Sequence, residues 1–273
     1  MNILYCGDEN IKDGLLISIL SLLKNTNDSL CIYVMTMRLE TDKKSYNEIE
    51  DAFIEYIDRK VKEKHGESFV KKLDCAKVFS KMPPDANMGT RFTPYCMLRL
   101  YADQFDELDG KLLYLDNDVI CRRDISDFYN QDIGGCELVG VLDHYGKWFF
   151  RKCAFHMDYI NSGVLLLNIE KIRETKLFES CRKMCAEKKM FMPDQSAINK
   201  LSKQKKIAER KFNEQRKLRD ETILQHFTTS FRFFPLLHTI TVKPWQVDKI
   251  HSRLKLHEYD DILNEYLRLN AQL

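Results

Sequence analysis

No stretch of the sequence approaches the roughly 18 consecutive apolar residues of a membrane-spanning helix. The opening MNILYCGDEN has neither the basic flank nor the apolar core of a secretory signal, so a soluble protein is expected. Glycine and proline number only 10 and 6 among 273 residues, which excludes collagen-like and low-complexity chains. Charge of one sign is missing too: 43 Lys and Arg face 41 Asp and Glu, a net of +2, too weak a field to argue for a nucleic-acid partner. Nine cysteines stand scattered from Cys6 to Cys185, an odd number that builds no dense disulfide framework. Cys181 and Cys185, without a second pair or a nearby His, do not make a zinc site; idle thiols in a reducing cytoplasm are expected. Neither GxGxxG nor GxxxxGK[ST] occurs, which disfavours dinucleotide-binding Rossmann domains and P-loop NTPases.

What is present is 44% hydrophobic residues, enough for a sizeable core, with 31% charged. NILYC at 2–6 reads as a buried strand, residues 11–23 as a helix, and LCIYVMTM at 30–37 as a second strand, an opening β-α-β unit of the kind that builds parallel sheets. An amphipathic helix is expected over 43–64, a third strand at DCAKVFS, and a helix in FTPYCMLRLYADQF opened by Pro94. KLLYLDNDVI is the strongest strand signal. LVGVLD follows at 138–143, then a loop holding His144 and His156, YINSGVLLLNI at 159–169, and a charged helix over about 170–188. The basic run at 201–220 reads as a solvated surface segment, and 258–270 as a closing helix. The strands are short and apolar rather than alternating, as buried parallel strands are when helices cover both faces.

The chemistry centres on Asp116-Asn117-Asp118, directly after the apolar run Leu112 to Leu115. Ligands of open α/β sheets collect beyond the carboxyl ends of the strands, and two carboxylates there suit a hard cation such as Mg or Mn that also takes phosphate oxygens. A second polar cluster, Gly7, Asp8 and Asn10, ends the first strand ahead of a helix. Asn161-Ser162-Gly163, Pro193-Asp194-Gln195, His226 and Lys243-Pro244-Trp245 could complete a site. Each also has an ordinary structural reading: an Asp as helix cap, a His as a satisfied core residue, a packed corner.

LYLDNDVICRRDISDFY resembles the Asp-x-Asp segment of glycosyltransferase family 8, and YINSGVLLLNI, MPDQSAIN and KPW follow in the family's order. ILYCGDENI and TPYCMLRLY resemble its nucleotide-binding edge, so the likeness runs from residue 2 to about 245. The resemblance implies a GT-A fold: a single α/β, Rossmann-like domain with a mostly parallel central sheet and helices on both faces, over 1–245, with a helical extension at 246–273. It implies a retaining transfer of a hexose, glucose or galactose, from a UDP-sugar to a glycan or lipid-linked glycan. It implies manganese, or magnesium, on Asp116, Asp118 and His226.

By the same carry-over Asn117 lies beside the ribose or metal, and Cys6, Asp8 and Asn10 belong to the uracil and ribose edge. Arg99 meets the sugar or diphosphate, Lys243 grips the diphosphate, and Asn161 holds the donor sugar. Asp194 and Gln195 come nearest the anomeric carbon as the catalytic pair, and Asp143 faces the acceptor. A cytoplasmic enzyme with peripheral contact at the inner face of the membrane follows. The chain departs from the family pattern in one place: the family's metal-binding His is closely followed by KPW, whereas His226 stands well upstream and His238 is the nearer one. His226 is preferred because ILQHF repeats the family's apolar strand and trailing aromatic; the intervening segment, with Phe231, Phe233 and Phe234, would then cover the site.

Two other classes stay open on these residues. Paired aspartates at a strand end also serve metal-dependent nucleotidyltransferases and phosphohydrolases, although CGDENI is not the Gly-rich basic loop of the former. A catalytically silent nucleotide-sugar-binding protein would keep the same groups.

Overall fold

The computed structural model describes residues 1–41, 44–89, 93–146, 158–232 and 238–272; Cys153, His156, Phe233 and Phe234 lie outside them. In chain order the strands are β1 (Asn2–Cys6), β2 (Cys31–Thr36), β3 (Leu39–Glu40), β4 (Ser45–Tyr46), β5 (Phe69–Asp74), β6 (Lys111–Leu115) and β7 (Val119–Cys121). They continue with β8 (Leu138–Leu142), β9 (Ile160–Asn168), β10 (Lys205–Ala208), β11 (Leu224–His226), β12 (Ser230–Arg232) and β13 (His238–Ile240). Seven of them form one sheet in the order β10-β8-β9-β6-β1-β2-β5. All neighbours run parallel except β9, which is antiparallel to both β6 and β8.

Alternate residues of the central strands feed two cores, one on each face of the sheet. Ile3, Tyr5, Leu113 and Leu115 pack with α1 (Lys12–Asn25) and α2 (Asp51–Lys64). Leu4, Leu112 and Tyr114 pack on the other face with the 3-10 helix Pro94–Gln104 and the helices Leu177–Glu187 and Pro193–Leu201. Burial on both faces is why these strands show no polar alternation. The C-terminal helix Asp260–Asn270 adds Ile262, Leu263, Tyr266 and Leu269 to the first core. Among the described residues no helix is long and apolar enough to cross a membrane.

Four expectations are corrected. The third strand is FVKKLD, not DCAKVFS: only Val70 and Leu73 of this edge strand are buried, while Ala76–Lys81 is a helix whose first amide donates to Asp74 Oδ1 at 2.9 Å. Lys72 projects from that edge to Glu48 and Asp51, the charged kind of edge strand that resists further pairing. The helix expected over 43–64 begins at Asp51, because Ser45–Tyr46 instead pairs with Leu39–Glu40. The helix of 170–188 divides at Lys176, which adopts a left-handed conformation at φ 54°. The basic run 201–220 is no mere solvated segment: it contributes edge strand β10 and buries Asn213, Glu214 and Gln215.

Candidate active site

The topology gathers the site before any side chain is considered. β1, β6 and β8 run parallel, so Cys6-Gly7-Asp8, Asp116-Asn117-Asp118 and Asp143 leave the same edge of the sheet. β9 runs the other way, and therefore its beginning, Asn161-Ser162, arrives at that edge. The order in which strands are added switches side at the β1/β6 boundary, β2 and β5 lying to one side of β1 and β6 to the other, the place where open α/β sheets bind ligands. A cavity of about 820 Å³ opens there.

After β6 the chain turns through Asp116-Asn117-Asp118 and enters β7, which pairs antiparallel with β11 so that Val119 lies opposite His226. That short ladder, joining segments remote in sequence, sets the imidazole against the acid pair. His226 Nε2 stands 3.2 Å from Asp118 Oδ1 and 3.6 Å from Asp116 Oδ2, and one ligand atom from each of the three residues lies within 4.8 Å of the others. Gly163 makes the approach physically allowable. A Cβ there would stand 2.6 Å from Asp116 Oδ2 and 2.9 Å from His226 Nδ1, so no other residue fits without displacing the cluster.

Lys243 completes this corner. Its ammonium meets Asp118 Oδ2 and donates to the Phe227 carbonyl at 3.0 Å. Burial by itself would raise the Asp118 carboxyl, but the charge of Lys243, with the neighbouring His226 ring, outweighs it and holds the group below the usual carboxylate range. Asp118 therefore contributes stability that is present above the ordinary aspartate pKa and lost as pH falls through its depressed value. Asp116 is held differently: it accepts from Tyr114 Oη at 2.6 Å and from Arg99 Nη2 at 2.9 Å. Burial pushes the Tyr114 phenol upward, so it stays a donor.

Arg99 is the hub of the adjoining wall. The buried guanidinium lies 3.9 Å over the Tyr114 ring, pairs with Asp194 Oδ2 at 3.4 Å and also donates to the Ser162 carbonyl. Ser162 Oγ donates to Asp194 Oδ2 at 3.1 Å, while Gln195 Oε1 accepts from the Ser162 amide at 3.0 Å. Gln195 Nε2 donates to Asp143 Oδ2 at 3.2 Å, which also receives Asn161 Nδ2 at 3.1 Å. The donor-sugar, catalytic and acceptor-side candidates thus form one hydrogen-bonded wall.

Of the residues singled out in the sequence, Cys6, Asp8, Arg99, Asp116, Asn117, Asp118, Asp143, Asn161, Asp194, Gln195, His226 and Lys243 all line the cavity. Asn10 does not: it is exposed on the short 3-10 turn after Asp8, where its amide donates to Asp8 Oδ1 at 3.1 Å. The backbone of His238 sits in β13 opposite Arg232. Burial raises the Cys6 thiol, leaving it uncharged beside Arg99. Sequence reasoning missed Tyr114, Gln215 and above all Asn213, whose Oδ1 faces His226 Nδ1 at 3.2 Å. A lone Phe212 ahead of Asn213, amid charges, was the only sign that this stretch turns inward.

The donor set suits a divalent cation on the structure's own terms. Two carboxylates and an imidazole nitrogen converge, and two carboxylate oxygens without a proton or cation between them would repel. The pattern of glycosyl transferase family 8 matches residues 2–249. The chain belongs to glycosyl transferase family 8. Lipopolysaccharide 1,2-glucosyltransferase of Escherichia coli is 26% identical to this glycosyltransferase over 282 residues, covering 94% of the chain and 76% of the relative. A Streptococcus gordonii protein named "Probable glycosyl transferase Gly" is 33% identical over 132 residues, and the match spans 47% of the chain but only 18% of that relative. Among solved structures, an active-site mutant of LgtC superposes with a TM-score of 0.69 at 17% identity, covering 97% of this chain and 96% of that one. The galactosyltransferase LgtC in complex with donor and acceptor sugar analogues gives 0.66 at 18% identity, over 97% and 96%. The fold of this family 8 glycosyltransferase is accordingly GT-A.

Proposed function

We propose that this glycosyltransferase moves a hexose from a UDP-sugar to a hydroxyl of a glycan or lipid-linked glycan, with retention at the anomeric carbon. In this reading Asp116, Asp118 and His226 hold a manganese ion, magnesium being the alternative. The observation that carries it is the meeting of these three ligands with Lys243 on the wall of the 820 Å³ cavity. That volume suits a nucleoside diphosphate with its sugar.

When bound, the ion supplies Lewis acidity that offsets the charge developing on the departing diphosphate. Lys243, on the same corner, adds a positive charge for the diphosphate. Cys6, Asp8 and Asn117 form the edge for uracil and ribose, and Arg99 and Asn161 shape the sugar pocket. Asp194 is the one carboxylate suited to a covalent intermediate, but its Oδ2 is engaged by Arg99 and Ser162. A carboxylate tied this way is a poor nucleophile, which favours front-face attack, with Asp194 and Gln195 orienting the sugar and Asp143 the acceptor. Glucose or galactose is the donor sugar, on the strength of relatives named a glucosyltransferase and a galactosyltransferase. An acceptor linked to lipid would put the enzyme in the cytoplasm, touching the inner face of the membrane.

Hydrolysis of UDP-glucose and UDP-galactose, measured with and without Mn, tests this reading. Turnover that needs the metal and vanishes in Asp116→Ala and Asp118→Ala, with cooperative unfolding preserved, is expected. Binding without any turnover would instead support the silent sugar-nucleotide module.

A further inference from the structure

The buried amides behind His226 have orientations that leave no freedom. A backbone N–H can only donate, and the Gly163 amide donates to Asn161 Oδ1 at 3.0 Å. An ionised carboxylate can only accept, and Asp143 Oδ2 takes Asn161 Nδ2 at 3.1 Å. Both ends of the Asn161 amide are therefore fixed independently. Its Oδ1 also accepts from Asn213 Nδ2 at 3.0 Å, which turns Asn213 Oδ1 toward His226 Nδ1 at 3.2 Å. An amide oxygen facing a ring nitrogen requires a proton on that nitrogen, and a neutral imidazole protonated at Nδ1 carries its lone pair on Nε2. Nε2 is the atom directed at Asp118 and Asp116.

Asn213 is held for this task. It is fully buried, and the next residue is laced to β11 on both sides: the Glu214 amide donates to Leu224 O at 2.9 Å, and the His226 amide to Glu214 O at 2.9 Å. We propose that Asn213 is a positioning residue that fixes the Nδ1–H tautomer of His226 and so presents Nε2 to the divalent cation, through a chain Asp143–Asn161–Asn213–His226. The inference rests on the metal reading above for its purpose, though not for its geometry. Its consequence is that the acceptor-side carboxylate and the metal ligand belong to one hydrogen-bonded unit, so that a disturbance at Asp143 reaches the metal without touching it.

Two readouts on the full chain separate the parts. Long-range nitrogen–proton NMR of histidine-labelled, metal-free protein reports the His226 tautomer, and electron paramagnetic resonance reports Mn affinity. Wild type should show Nδ1–H. Asn213→Leu should lose that preference and weaken Mn binding by about 10- to 100-fold. Asn213→Asp, which still offers an acceptor to Nδ1 but loses the donor to Asn161 Oδ1, should keep the Nδ1–H proton while the link to Asn161 is broken. A wild-type His226 with a proton on Nε2 and none on Nδ1 would overturn the proposal even if the leucine variant failed to fold, as would loss of the Nδ1 proton in the aspartate variant. A wild type that keeps Nδ1–H yet binds no Mn would leave the orienting role standing and sink the metal assignment instead.

Discussion

Among the described residues two groups bring His and Asp within metal-binding reach, and they are built in opposite ways. In the outer group, His251 Nε2 lies 2.7 Å from Asp260 Oδ1 and His257 Nδ1 lies 3.0 Å from Asp260 Oδ2, with the two rings stacked at 4.6 Å. Each oxygen of one carboxylate has its own imidazole, so the group is satisfied as it stands. In the inner group two carboxylates converge on one imidazole nitrogen: Asp118 Oδ1 and Asp116 Oδ2 share Nε2, while their other oxygens are taken by Lys243 and by Arg99 and Tyr114. The outer side chains are 35%, 64% and 40% exposed; His226 and Asp118 are 5% and 8%. The residue types, His and Asp, are common to both, in opposite proportion. What separates them is burial beside a cavity, a glycine that admits the approach, and amides that orient the ring.

Removing a ligand from the inner group is the strongest way to break that contrast. Asp118→Ala should lower metal-dependent turnover by about 10³-fold, the loss of about 4 kcal/mol of charge stabilisation. His257→Ala should leave turnover unchanged; steady-state rates over a Mn titration compare the two. Next in size, Gly163→Ala should weaken Mn binding by about 10- to 100-fold by driving His226 and Asp116 apart. Electron paramagnetic resonance reads that loss, and unfolding should remain cooperative.

The first core offers a third separation. Leu263 is 1% exposed, and Leu263→Ala should cost about 2–5 kcal/mol in chemical denaturation while sparing Mn affinity. A single cooperative transition in that experiment would mean that the extension 246–273 folds as part of the sheet domain; Tyr259 Oη donating to Gln225 Oε1 at 2.7 Å, one residue from His226, favours this. The smallest effect is expected at Asp260, where hydrogen bonds from His257 and then His251 hold the carboxyl below its ordinary range. A depressed carboxylate stabilises above its unfolded pKa and loses that contribution as pH falls through its folded value. The wild-type advantage over His257→Ala should therefore fade below about pH 4, and salt should screen it because the pair is exposed.

The legible parts of the molecule were those whose signal is local. β1, β6 and β9 are apolar runs with polar residues at one end, and the acid pair follows β6 directly. What sequence could not carry were contacts made by pairing across distance. β5 was misplaced because an edge strand with Lys71 and Lys72 shows little apolar periodicity, whereas Val78 and Phe79 of the next helix mimic a strand. Asn213 was invisible because its burial comes from lying against β11, and its own segment is basic and reads as solvated surface. His226 was reached by family likeness and not by spacing; the β7/β11 ladder gives the physical reason for its position.

The most direct measurement of the central claim is thermal unfolding of the full chain with UDP and UDP-hexoses, in the presence and absence of Mn. A ligand that binds only the folded state raises its stability by mass action. The account predicts a rise in Tm that requires the nucleotide and the metal together and disappears in Asp118→Ala. An equal rise without Mn, or a rise with other nucleotides and none with UDP, would contradict it.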